Sequence, residues 1–244
     1  MKIQFTLILL FLLGISLQAQ EDSSLDILNQ AGMPNLEESW SMEEYNLAAL
    51  ILVNTVKEGK IELPHHKQPS FKLLERLTNT QNYFQYKDTS LNGRFKTNSQ
   101  FQLKIGELQQ LYVQKFRVIN GKLNYGKEGL LIMRSALYMT QDLSELGEIF
   151  LKKNPNLSDR QKAGLARYRG GVKNIMLGCL MTIFDEFELY EEEDICSFSQ
   201  DFLGLYLSLE KRLEPADKVE LRKRILASKG KVKLNCIKES LEKL

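Results

Sequence analysis

An all-α fold, an irregular multi-helix bundle behind an N-terminal signal peptide, is predicted by three observations. Apolar residues recur at steps of three and four along most of the chain, the spacing of a helix with one buried face. Two capping signatures, Ser41-Met-Glu-Glu44 and Ser158-Asp-Arg-Gln161, each stand just before such a run. Strand-period alternation is nowhere sustained.

Taken in order, residues 24–32 read as a short helix stopped by Pro34. Ser41 opens a helix whose Tyr45, Leu47, Ala48, Leu50, Leu52 and Val53 mark it as buried, ending near Gly59. Residues 60–69 form a proline-bounded loop, and 70–77 a helix with Phe71, Leu74 and Leu77 on one face. The polar stretch 79–96 reads as helix, turn, helix, with Asn92-Gly93 as an alternative hairpin turn. Residues 100–118 have helical spacing and end at Asn120-Gly121, and residues 126–153 make a long helix halted at Asn154-Pro155. Ser158 opens the longest expected helix, running to about Tyr190 and antiparallel to 126–153. Ile195, Phe198, Phe202, Leu205 and Leu209 mark the next. Pro215 suits a helix N1 position, Lys229-Gly230 is a break, and 234–244 is a last short helix. Residues 20–244 are read as a single helical domain with a looser N-terminal third, 20–97.

Composition narrows the class. The 244 residues carry 33 Lys+Arg against 31 Asp+Glu, a net +2, with 43% hydrophobic and 26% charged residues. This is an ordinary globular balance. It excludes a disordered tail, a collagen-like fibre, a disulfide-dense mini-protein and a strongly basic nucleic-acid binder, so no nucleic-acid partner is expected.

The first residues, MKIQFTLILLFLLGISLQAQ, place Lys2 before an almost wholly apolar run from Phe5 to Ile15, then small and polar residues from Ser16 to Ala19. This is signal-peptide anatomy, with cleavage expected after Ala19 or Gln20. The run falls short of the about 20 residues of a spanning helix. The cut region holds no Cys to carry a lipid. The leucine-rich core ending in Leu17-Gln-Ala-Gln20 resembles bacterial export signals, those of Bacteroidetes in particular. A periplasmic or secreted protein with no stable membrane anchor after cleavage is expected, at 32 Lys+Arg against 31 Asp+Glu once Lys2 is removed.

Several constellations are candidates for chemistry. Gly164, Gly171 and Gly178 recur every seven residues on one helix face. Glycine weakens a helix by up to about 1 kcal/mol per site, so the expected compensation is close packing of another helix. Arg167, Asn174 and Thr182 are expected on the same side. With the glycines, Arg167 and Asn174 would edge a groove for an anionic ligand or a partner's backbone.

His65 and His66 are neighbours on a loop and have no HExxH or helical carboxylate–His partner, so no metal site is expected. No CxxC spacing occurs among Cys179, Cys196 and Cys236. Cys179 sits in an apolar run, which leaves Cys196 and Cys236 as the natural pair for a disulfide in an oxidising compartment. Residues 185–194 hold seven acids and no base, which suits the positive end of the following helix. Residues 211–243 hold eleven bases and five acids, a local +6, read as a solvated face partly balanced by the acidic run.

GxSxG, Walker and Rossmann patterns are absent, and no cofactor is expected. The leading expectation is a non-enzymatic, soluble protein that binds another protein, in an envelope accessory or immunity-like role. The alternatives are an enzyme using Glu145, Glu148, Arg134, Arg167 and Arg169 in an interhelical cleft, or a small-ligand carrier.

Overall fold

A computed structural model describes residues 23–81 and 90–242 of the chain. The expected signal peptide, residues 1–19, lies outside the described residues. The described residues are 73% helical with almost no strand, an all-α bundle. No described helix is long and apolar enough to cross a membrane. Where the sequence reading keeps one domain across 20–244 with a looser third ending at 97, the chain divides into two compact units, Met1–Asn82 and Tyr83–Leu244. The helix that begins at Leu91 packs along a later helix and so belongs to the second unit.

In the first unit, a helical stretch at residues 23–30 (α1) is closed by Gly32 at φ 85. Helix α2 (Met42–Lys57) starts on the expected capping box: the Ser41 hydroxyl accepts from the Glu44 N–H, and Glu44 accepts from the Ser41 N–H at 2.7 Å. Helix α3 (Phe71–Thr78) buries Leu73, Leu74 and Leu77. The two are joined in the core by the fully buried Tyr45, whose hydroxyl donates to the Leu77 carbonyl at 3.0 Å. Arg76 stacks over the Trp40 ring at 5.1 Å.

The second unit holds α4 (Leu91–Val113), a hairpin of β1 (Val118–Ile119) and β2 (Lys122–Leu123), α5 (Gly126–Lys153), α6 (Asp159–Phe184), a 3-10 turn (Phe187–Leu189), α7 (Glu192–Glu210), α8 (Pro215–Lys229) and α9 (Asn235–Leu241). The two Asn-Gly pairs behave oppositely. Asn92-Gly93 is helical, because Ser90 caps the helix by accepting from the Gly93 N–H at 3.1 Å. The alternative hairpin turn there is therefore not formed, and α4 starts in its place. Asn120-Gly121 has both residues at positive φ (52 and 80), as a type I′ hairpin turn requires. It pairs Val118 with Leu123 and Ile119 with Lys122, so α4 ends at Val113 rather than 118.

Helix α5 is the spine. It packs most extensively on α4, next on α7, and only slightly on α6. The expected pairing of 126–153 with 158–190 is thus a minor contact. The reason lies in α6, whose buried residues begin only at Val172, leaving its first half solvated. Helix α6 also stops at Phe184, short of Tyr190. Asp185 and Glu186 would oppose the negative end of the helix, whereas Glu192, Glu193 and Asp194 suit the first turn of α7. An apolar core runs through Met176, Leu180, Phe198, Phe202, Leu221 and Ile237.

The α4–α5 seam is unusually polar. Asn98, Ile105 and Tyr112 on α4, and Glu128, Ser135 and Asp142 on α5, each recur every seven residues and are all buried. Asn98 Nδ2 donates to Asp142 Oδ2 and to the Met139 carbonyl, both at 3.0 Å. Arg94 donates to the other Asp142 oxygen at 2.8 Å. Tyr112 packs edge-on against Tyr125 at 5.5 Å, at the other end of the seam. Burial and the nearby Glu128 carboxylate raise the Tyr112 hydroxyl far above its ordinary pKa, so it stays protonated.

Replacing Asn98 with leucine removes two donors and strands a buried carboxylate oxygen. Asn98→Leu is expected to lower unfolding free energy by about 1–3 kcal/mol, read from the urea midpoint. An unchanged midpoint would mean the seam is energetically neutral.

Candidate functional site

The glycine face is open. A Cβ built at Gly164, Gly171 or Gly178 meets nothing within 4 Å. Close packing of another helix, the expected compensation, is therefore absent at these positions. Gly171, Arg167 and Asn174 are exposed, and the face that packs is the opposite one, carrying Val172, Met176 and Cys179. Thr182, expected on the open side, is buried, with its hydroxyl 3.9 Å from the Met133 sulfur. Gly164, Arg167, Gly171, Asn174 and Gly178 thus line one side of a helix at the surface.

The carboxylates and guanidiniums named for an enzymatic cleft are not assembled into one. Arg134 pairs with Asp201 at 2.6 Å and donates to Ser197 at 2.8 Å, tying α5 to α7; Tyr138 adds a hydrogen bond to the same Asp201. Glu148 pairs with Arg212 beyond the end of α7, and Arg169 with Glu214 at the start of α8. Glu145 accepts from Gln141 one turn earlier, at 3.0 Å. Arg167 stands exposed on the glycine face. Arg134, Glu148 and Arg169 are thus spent on ties between segments at separate places. His65 Nδ1 accepts a hydrogen bond from the Lys67 N–H at 3.2 Å, a loop-closing role, and the His65 and His66 rings lie 4.1 Å apart.

The acidic run and the basic C-terminal stretch interlock. Asp185 pairs with Arg224 at 2.5 Å and Glu188 with Lys233 at 2.7 Å. Lys173 bridges Asp217 and Glu220, both at 2.7 Å. Arg222 makes a two-pronged contact with Glu210, both bonds at 2.6 Å, and holds its carboxyl below the usual carboxylate range. Within this clasp the Cys196 and Cys236 sulfurs are bonded, with Cα atoms 5.7 Å apart, inside the range a disulfide needs. The bridge ties α7 to α9. Cys179 is buried, and burial pushes its thiol up to about 12, which leaves it unreactive.

Sequence reasoning missed the hairpin as a surface feature. Val118 and Ile119 are 58% and 56% exposed at its tip, and Val113 at the end of α4 is 52% exposed. At Val113 a recess of about 50 Å³ is lined also by Tyr112, Phe116, Gly129, Met133 and Tyr190. A Cβ at Gly129 would sit 2.8 Å from the tip of the Phe116 ring, which would have to shift. Small-molecule sites run to about 300–1,000 Å³, so this recess is not a carrier's cavity. The signal that would have found the hairpin is present: Asn-Gly flanked by Val118-Ile119 and Leu123.

No protein-family model matches the chain, and no curated protein and no solved structure matches it. The site is therefore read from its own chemistry.

Two outcomes follow from this geometry. Gly171→Ala is expected to raise stability by up to about 1 kcal/mol, seen as a higher melting temperature, because nothing opposes the added methyl. A fall would reveal a packing partner on that face. Thiol titration should give no reactive thiol in the native protein, one after denaturation without reductant, and all three once reduced. Three thiols without reductant would rule out the bridge.

Proposed function

We propose that the protein is exported with loss of residues 1–19 and acts as a soluble, non-enzymatic envelope accessory that binds another protein, in an immunity-like role. The observation that carries this reading is the hairpin tip. Val118 and Ile119 are branched apolar side chains more than half exposed, and they form the strand leading into the two-residue Asn120-Gly121 turn. Apolar groups displayed on a rigid element bind at low ordering cost. Val113 and the recess beside it extend the apolar surface. The dispersal of Arg134, Glu148 and Arg169 into separate ion pairs supports binding over catalysis. The open face of Gly164, Arg167, Gly171, Asn174 and Gly178 is a second surface a partner's backbone would approach closely.

A photo-cross-linking residue placed at Ile119 in the native host is expected to capture a discrete protein adduct. The same probe at the exposed Lys153 should not, and Val118→Asp should abolish the Ile119 adduct. Absence of any Ile119-specific adduct would overturn the reading. Mass spectrometry of the same material should give an N-terminus near Gln20 or Glu21, and retained Met1 would refute cleavage.

A further inference from the structure

We propose that the outward face of α8 docks reversibly on an anionic phospholipid surface. This surface is separate from the hairpin, so the proposal stands or falls independently of the protein-binding reading.

Helix α8 buries Leu221, Ile225 and Ser228 against the bundle. On the opposite side, Val219 and Leu226 are 66% and 72% exposed, the two most exposed large apolar side chains among the described residues. They are seven residues apart and share one stripe, with Lys223 between them. Two exposed aliphatic side chains on a convex helix have no pocket of their own to fill.

The surrounding charge is one-sided. Much of the basic stretch is neutralised within the fold: Arg222 by Glu210, Arg224 by Asp185 and Lys233 by Glu188. The nearby acids Asp217 and Glu220 are held by Lys173. Lys223, Lys229 and Lys231 are exposed and make no ion pair among the described residues. Lys223 stands between Val219 and Leu226, and Lys229 and Lys231 follow at and just past the end of α8.

Cations beside protruding aliphatic side chains on one helix face make a small patch that an anionic interface can take up. The apolar groups enter the headgroup–acyl boundary while the ammonium groups meet lipid phosphates. A flat anionic surface suits this convex face better than an acidic peptide does. A peptide would need a groove to seat in, and α8 presents a ridge. Two aliphatic side chains give shallow insertion, so attachment is reversible and adds no spanning segment.

The test is co-sedimentation of the exported protein with vesicles of phosphatidylcholine containing about 30% phosphatidylglycerol, at ~0.1 M salt. Pure phosphatidylcholine vesicles report any binding that does not depend on anionic lipid. Binding is expected to the anionic vesicles and not to the neutral ones. The double variant Lys223→Glu/Lys229→Glu should weaken it at least about ten-fold, since each surface lysine contributes substantially near an anionic membrane. Val219→Asp/Leu226→Asp should weaken it comparably. Lys152→Glu/Lys153→Glu, the same charge change at the exposed end of α5, should leave it nearly unchanged. All of these positions are exposed, and circular dichroism checks that each variant remains folded.

Three results would overturn the proposal. One is no binding to the anionic vesicles. Another is equal weakening by the α5 variant, which would mean net charge alone acts. The third is displacement from the vesicles by soluble poly-glutamate, with the aspartate variants binding as wild type, which would identify an acidic polypeptide as the ligand instead.

Discussion

The buried contact of Asn98 with Asp142 is the constraint on which the second unit depends. A carboxylate inside a helical seam is costly unless its oxygens are hydrogen-bonded. Here one oxygen takes the Asn98 amide and the other the Arg94 guanidinium. That requirement is met at one register of α4 along α5, since a slide by seven residues, about two turns, would bring Ile105 opposite the carboxylate. The same heptad register brings Tyr112 beside Glu128 at the far end. The seam therefore contributes specificity as much as stability.

With one side of α5 committed to α4, the other is free to take α7 through Arg134, Asp201 and Tyr138. The last third of the chain then closes on itself. Acids from 185 to 220 meet bases from 173 to 233 in pairs that join α6, the 3-10 turn, α7 and α8. Surface pairs of this kind are individually weak. Their consequence is spatial: they align the segments around Cys196 and Cys236, which lie 40 residues apart in sequence, and leave Lys223 and Lys229 as uncompensated charge on α8.

How far the candidate sites could be read in advance depends on the kind of signal. The two capping boxes are local chemistry, and both Ser41 and Ser158 cap as written. The Asn-Gly pairs show where local chemistry is ambiguous. Asn92-Gly93 and Asn120-Gly121 are the same dipeptide, and the first is helical because Ser90 caps it three residues before Gly93, while the second turns between branched, paired residues. The glycine heptad misled for a different reason. Spacing of seven puts Gly164, Gly171 and Gly178 on one face, but which face meets the core is decided by the apolar residues opposite, Val172, Met176 and Cys179.

The sequence by itself determined that the chain is helical, where most helices start and stop, and which residues are apolar on each, because these depend on interactions within a few residues. Tertiary structure alone decided that Glu148, Arg134 and Arg169 are dispersed to different ion pairs, that α5 lies between α4 and α7 with little of α6, and that Val118, Ile119, Val219 and Leu226 stand in solvent. An apolar residue at helical spacing is buried only if a neighbour covers it. That neighbour is chosen by contacts between segments far apart in the chain, of which Asn98 with Asp142 is the clearest.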